Sequence, residues 1–223
     1  MSCRTTQAEY FDSERPLAEL AEFHQCLDRV NRFFLFAEPF QRRLPRLLGA
    51  TACRSLSVLD LGAGNGLLGK ELQGWAARRG WDWRVTNLDL SQAALRLNPS
   101  GRNVAGSALA LPFSTGSFDL VIASQMTHHL TDEQVQRHLR EAWRVARSAI
   151  FLSDLHRNAA LYWVLWLFLR LRRFPESFGA DALLSVRRSW RSHELQRLAT
   201  QAGIAQAQVE VYFSARVLLH ARK

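Results

Sequence analysis

Lysine is almost absent from this chain of 223 residues: only Lys70 and Lys223 occur, so arginine supplies nearly all of the 29 basic side chains. The formal charge of +9 is compatible with nucleic acid, an anionic membrane surface or an acidic partner. Cysteine is scarce and odd in number. Cys3, Cys26 and Cys53 have neither metal-ligand spacing nor a histidine pattern beside them. That argues against a disulfide framework or a metal centre and predicts reduced thiols in a cytosol. No apolar run is long enough to span a bilayer. The polar, mixed-charge stretch from Met1 to Glu14 has no signal-like core. Internal repeats, low-complexity tracts and a separate nucleic-acid module are missing as well. What is left, at 48% hydrophobic and 22% charged, is a globular chain of one large domain or a domain with an elaboration.

The chain is organised around Val58-Leu59-Asp60-Leu61-Gly62-Ala63-Gly64-Asn65-Gly66. An apolar run reads as a buried strand, three glycines read as a turn, and Leu67 opens a helical pattern. Glycine lets the backbone turn sharply and brings bare amides against a ligand. The dinucleotide pattern would need glycine at 67, where Leu67 stands. Asp60 would repel a pyrophosphate but suits a ligand with an ammonium group. All nine positions fit the glycine-rich first motif of the class I S-adenosylmethionine-dependent methyltransferases, and this sequence resembles that family, in its quinone and small-molecule branch.

The resemblance implies an S-adenosyl-L-methionine site built from Asp60, Gly62, Ala63, Gly64 and Gly66. It adds Asp89, which closes the second predicted strand and would take both ribose hydroxyls, with Leu90 beside it. Ser107 stands where the family usually has an acid for the adenine amino group, with the amide of Ala108 next to it. Leu111 to Ala123 resembles the third and fourth motifs, and Gln125 follows at the donor crevice. His128 and His129 resemble a pair seen in that branch. Either could act as a general base, or hold its loop by bonding backbone carbonyls. The Asn/Asp-Pro-Pro-aromatic turn of enzymes that methylate amines of adenine or glutamine is absent here.

The expected fold is α/β: a Rossmann-like, seven-stranded, mainly parallel sheet with helices on both faces. An N-terminal helical cap is expected over 1–50 and the methyltransferase domain over 51–223, with a helical lid insertion at about 155–191. Pro16 to Leu48 carries helical periodicity broken at Pro39 and Pro45. Thr131 and Gln134 form a capping box for a helix to Ala146. Strand five runs over 149–153, with Asp154 at its end, and 175–186 reads as a loop with a turn. Tyr10 and Phe11 upstream, and Trp163 and Trp166 in an aromatic stretch ahead of Arg170, Arg172 and Arg173, are candidates for a lid over a hydrophobic substrate. That stretch also suits an interfacial helix on anionic lipid. The function read is methyl transfer to a small hydrophobic, aromatic acceptor such as a phenol, a quinol or a polyketide-like compound. It would take place in the cytoplasm, with peripheral contact to the inner membrane surface as an option and no stable nucleic-acid partner. Rival readings are an acidic acyl-carrier substrate read by Arg187, Arg188 and Arg191, an RNA methyltransferase, and a donor-binding subunit without catalysis.

Overall fold

The computed structural model describes residues 3–13, 15–49, 52–99 and 101–223, without the side chains of Phe11 and Ala52. Its strands are β1 (Ser55–Leu61), β2 (Asp82–Asp89), β3 (Arg102–Ala105), β4 (Phe118–Ser124), β5 (Ala146–Leu155), β6 (Gln208–Tyr212) and β7 (Arg216–Arg222). They form one sheet in the order β3-β2-β1-β4-β5-β7-β6. β7 runs antiparallel to both of its neighbours, and every other pairing is parallel. The reason for the reversal is local. A connection of only three residues, in which Phe213 and Ser214 have positive φ, joins β6 to β7, and so short a link permits only an antiparallel hairpin.

β1 sits between β2 and β4 and helices cover both of its faces, so it reads as a nearly continuous apolar run. Side chains alternate across it. Leu56 and Val58 join the core under α2 (Glu38–Leu48) and α3 (Leu67–Ala77), with Phe151 and Leu218. Leu59 and Leu61 join the opposite core, under α5 (Asp132–Val145) and α8 (Ser192–Gln201). The short α4 (Gln92–Arg96) follows β2, capped by Ser91, whose hydroxyl accepts the Ala94 amide at 3.1 Å. Thr131 and Gln134 cap α5 reciprocally, as their spacing predicts.

Three expectations need correction. Pro45 does not break the N-terminal helical stretch: it lies inside α2, whose Phe40, Leu44 and Leu48 pack on the sheet, with the rings of Phe40 and Phe151 4.9 Å apart. Tertiary burial of that face outweighs one missing backbone donor. Residues 175–186 are not a loop but most of α7 (Glu176–Arg188). The buried positions of α7 include Phe178, Asp181, Leu184, Ser185 and Arg188 at three- and four-residue steps, and three of those five are polar, which mutes the apolar period. Asp154 does not end β5, which continues through it to Leu155.

α1 (Leu17–Phe33), α6 (Ala159–Leu171) and α7 converge on a third apolar cluster around Val30, Leu165, Leu169, Phe178 and Val186. The N-terminal segment expected as one cap is therefore divided. α2 belongs to the sheet's core, while α1 joins the inserted helices.

Candidate functional site

The turn after β1 brings the glycine loop against β2. The amides of Gly62 and Ala63 donate to the Leu88 carbonyl at 2.8 and 3.1 Å. Gly64 has φ +55°, and a Cβ there would stand 2.9 Å from Cε1 of His24. A side chain at this position would be both strained and obstructed. The Gly64 amide donates to Asp89 Oδ2 at 2.7 Å, and the Ser91 amide donates to Oδ1 at 2.8 Å. Asp89 is thereby fixed at the carboxyl end of β2, with lone pairs left for a ligand.

Asp60 lies deeper, at 1% exposure, and its Oδ2 has no hydrogen-bond partner among the described residues. Burial, reinforced by the nearby charge of Asp89, pushes its carboxyl up to about 8. A cationic ligand group would hold it ionised. Ser107 spends its hydroxyl within its own turn, accepting the Leu109 amide at 3.1 Å. The Ala108 carbonyl faces Nδ1 of His138 at 3.4 Å. Leu90 is 77% exposed beside Asp89.

α1 lies across this crevice, a placement that its periodicity did not reveal. His24 stands over Gly64. Asp28 accepts both of its contacts, at 3.1 and 3.0 Å, from Nδ2 of Asn65. Asn31 accepts from Nε2 of Gln125 at 2.7 Å. Burial lowers the His24 imidazole below its ordinary range, with Asp89 drawing it partway back. No motif marks these three side chains. Their one signal is that His24, Asp28 and Asn31 follow each other at four- and three-residue steps on one helix face.

Gln125, which has φ +52° and follows β4, lines a cavity of about 100 Å³. The walls of the cavity are largely apolar: Phe23, Leu27, Val30 and Phe34 of α1, Leu161 and Leu165 of α6, and Phe178 and Ala182 of α7. Its polar walls are Glu9, Asn31, Gln125, Asp181, Ser185 and Arg216. Trp163 and Trp166 are not on the walls. They are 60% and 41% exposed on the outer side of α6, and Leu165 between them points inward. Helical spacing explains this, because residues two before and one after an inward side chain are turned away from it. Tyr10 also lies off the cavity, in a separate hollow with Tyr162 and Arg187, with the Arg15 guanidinium 3.5 Å over its ring. The side chain of Phe11 lies outside the described residues.

His128 is buried, and its Nδ1 lies 2.7 Å from Asp154 Oδ1. The His128 amide and the Thr127 hydroxyl donate to Asp154 Oδ2 at 3.0 and 2.5 Å. Burial works against the Asp154 charge, but His128 and these donors outweigh it and hold the carboxyl down at about 2. The other ring nitrogen of His128 faces Glu9 Oε1 at 3.8 Å. His129 has its Nδ1 2.7 Å from Asp12 Oδ1, and Nη1 of Arg188 binds Asp12 Oδ2 at 2.5 Å. Arg188 is thus an internal ion-pair partner rather than a reader of a carrier protein. Arg4 ties the N-terminal segment down, donating to the carbonyls of His128 and Leu130 at 2.8 and 2.7 Å while lying 3.7 Å over the Trp190 ring. Ligand atoms of Glu9, His128 and His129 lie within 4.8 Å of one another, so these three could hold a cation, although Arg188, 3.4 Å from Glu9, already brings positive charge there.

Residues 59–151 match the methyltransferase domain family. An uncharacterized methyltransferase of Synechocystis is 40% identical over 88 residues, which are 37% of this chain and 41% of that protein. The chain thus matches about two-fifths of the length of its curated relative. Among solved structures, an S-adenosylmethionine-dependent methyltransferase of Aquifex aeolicus superposes with a TM-score of 0.64 at 15% identity, over 94% of this chain and 99% of the other. A protein assigned to the same class in Methanococcus maripaludis gives 0.64 at 15% identity, over 96% and 95% of the two chains. The fold is that of these methyltransferase structures, and residues 59–151 are similar to the methyltransferase domain family.

Proposed function

We propose that this chain is an S-adenosyl-L-methionine-dependent methyltransferase that acts on a small, predominantly apolar acceptor. The observation that carries the reading is the juxtaposition of two preformed features. One is a crevice with Asp89 fixed by backbone amides above the unpartnered oxygen of Asp60. The other is an apolar cavity walled in part by α1, the helix that also lies over the glycine loop.

The residues fit the donor. Asp89 offers lone pairs for vicinal hydroxyls, Asp60 offers a buried negative charge for an ammonium group, and Gly64 leaves room under His24. When bound, the donor supplies a methyl group on a positively charged sulfur. The chain's part is to orient donor and acceptor along one line and to exclude water, which α1 does by lying over the loop. Ser107 and Ala108 would flank the base, with Leu90 as an apolar contact.

His128 serves as a general base acting through Glu9. The imidazole is buried behind the cavity wall, Glu9 is the carboxylate on that wall, and Asp154 holds the far side of the ring. A proton leaving the acceptor would pass to the Glu9 carboxylate and on to the facing nitrogen of His128, whose imidazolium Asp154 would hold. His129, paired with Asp12, positions the segment that carries Glu9. The test is calorimetry with S-adenosylhomocysteine on Asp89→Ala. Donor-product affinity should fall by about 1.5–3 kcal/mol, the scale of hydrogen bonds to a charged group. An unchanged dissociation constant in a folded variant would remove Asp89 from the site.

A second reading concerns location. α6 exposes Trp163, Val164, Trp166, Leu167 and Leu171, with Arg170, Arg172 and Arg173 at its end. Phe33 and Leu35 expose further apolar surface near it, with the rings of Phe33 and Phe168 4.3 Å apart. Such a face suits a shallow seat on anionic lipid. Sedimentation with vesicles containing phosphatidylserine tests it, and binding that persists after Trp163→Ala/Trp166→Ala would count against this face.

A further inference from the structure

We infer that the ligand of the cavity carries an anionic oxygen group on its apolar body, and that Arg216 is the residue that binds it. The inference rests on the methyltransferase reading and narrows the class of acceptor. Arg216 opens β7, in register with Leu155 of β5 and Tyr212 of β6, and lines the cavity at 6% exposure. Its Nη1 is buried with no hydrogen-bond partner among the described residues. No described carboxylate forms an ion pair with it.

The acids around it are committed elsewhere. Asp154 and Glu38 act on the guanidinium through space. The oxygens of Asp154 are taken by His128, Thr127 and the Leu155 amide. Glu38 accepts from the Tyr212 hydroxyl at 2.5 Å and pairs with Arg42. Of the two acids on the cavity wall, Glu9 lies beside Arg188, and Asp181 accepts the Tyr10 amide at 2.9 Å. Burial lowers the Arg216 guanidinium to about 10, which leaves it charged at neutral pH.

A buried cation without a partner is costly, and a ligand that supplies the missing anion recovers that cost on binding. The planar guanidinium matches two oxygens of a carboxylate, or one oxygen of an ionised phenol or enol. The backbone beside Arg216 is itself strained, since Phe213 and Ser214 hold positive φ in the preceding turn. An orphaned charge presented by a strained turn fits a residue kept for a ligand rather than for folding.

The experiment is calorimetric titration of the full chain with 2-naphthoate and with its neutral isostere 2-naphthamide. Naphthoate should bind at least about tenfold tighter, the scale of one charge-assisted contact. Arg216→Met should abolish that preference, and Arg216→Lys should retain part of it. Because the methionine variant loses an unpaired buried charge, its ligand-free melting temperature should equal or exceed that of the wild type. Equal affinity for the two probes, no binding of naphthoate, or a preference that survives Arg216→Met would overturn the inference. So would a methionine variant that melts lower by more than about 3 °C, the scale of one lost kcal/mol in a chain of this length, since the guanidinium would then already have its partner. S-adenosylhomocysteine is titrated alongside. If the wild type fails to bind it while preferring naphthoate, the methyltransferase reading falls and the anion site stands. Donor-product binding without the naphthoate preference removes the anion site alone.

Discussion

The glycine-loop crevice and the cavity beside it each hold buried ionisable groups with an unpartnered atom among the described residues, Asp60 in the one and Arg216 in the other, yet they are built in opposite ways. The crevice is assembled from one contiguous motif and the ends of adjacent parallel strands, and its contacts are largely backbone amides. The cavity is assembled from segments far apart in the chain: Glu9, α1, α6, α7 and the start of β7. Backbone-built sites tolerate changes in side chains but not in conformation. Sites walled by side chains behave the other way round.

The sharpest way to break this contrast is Gly64→Val. A β-branched residue at φ +55°, with His24 in the way, should reduce binding of S-adenosylhomocysteine by more than about 100-fold. Naphthoate binding in the cavity should survive in whatever fraction stays folded. Loss of both sites together, with secondary structure intact by circular dichroism, would show that they are one unit.

Leu165→Ala tests the other side. Leu165 is buried and lines the cavity, so its truncation should cost about 2–5 kcal/mol of stability in urea unfolding. The KM for an acceptor should rise while donor affinity holds. A donor dissociation constant that moves as much as the acceptor KM would erase the division.

Asp60→Asn separates stability from function by pH. The Asp60 carboxyl is raised to about 8 in the fold, against about 3.9 in an unfolded chain. Its folded-state proton therefore stabilises fully below about pH 4, and that contribution is lost as pH rises to about 8. The asparagine variant lacks this slope. Its melting temperature without ligand should match the wild type near pH 4 and exceed it increasingly toward pH 8, while donor affinity falls. Parallel melting curves across that range would show that Asp60 has a partner already.

The smallest effect belongs to the outward side chains of the inserted helix. Trp163→Ala should change stability by no more than about 0.5 kcal/mol, the more covered Trp166→Ala by more, and both should leave the acceptor KM unmoved, because neither side chain lines the cavity. A rise in KM would place them over the cavity after all.

These differences mirror what could be read from the residues. The floor of the crevice was legible because its elements are local: an apolar strand, glycines at fixed offsets and an acid at the end of the next strand. Where the reading failed, chemistry and periodicity disagreed. α7 hid because its buried stripe contains Asp181, Ser185 and Arg188, and Pro45 was read as a break because propensity was weighed without the packing of Phe40 and Leu44.

What the sequence determined by itself was therefore the alternation of strands and helices and the glycine loop with its two aspartates, since periods of two and 3.6 residues and turn chemistry act within one segment. Only the tertiary structure decided that α1 lies over that loop, that Trp163 and Trp166 face outward, and that Glu9 and Arg216 line the same cavity. An apolar stripe specifies that a face is buried, not which neighbour buries it. The partner is chosen by long-range packing and by which charges are left unpaired when the core closes.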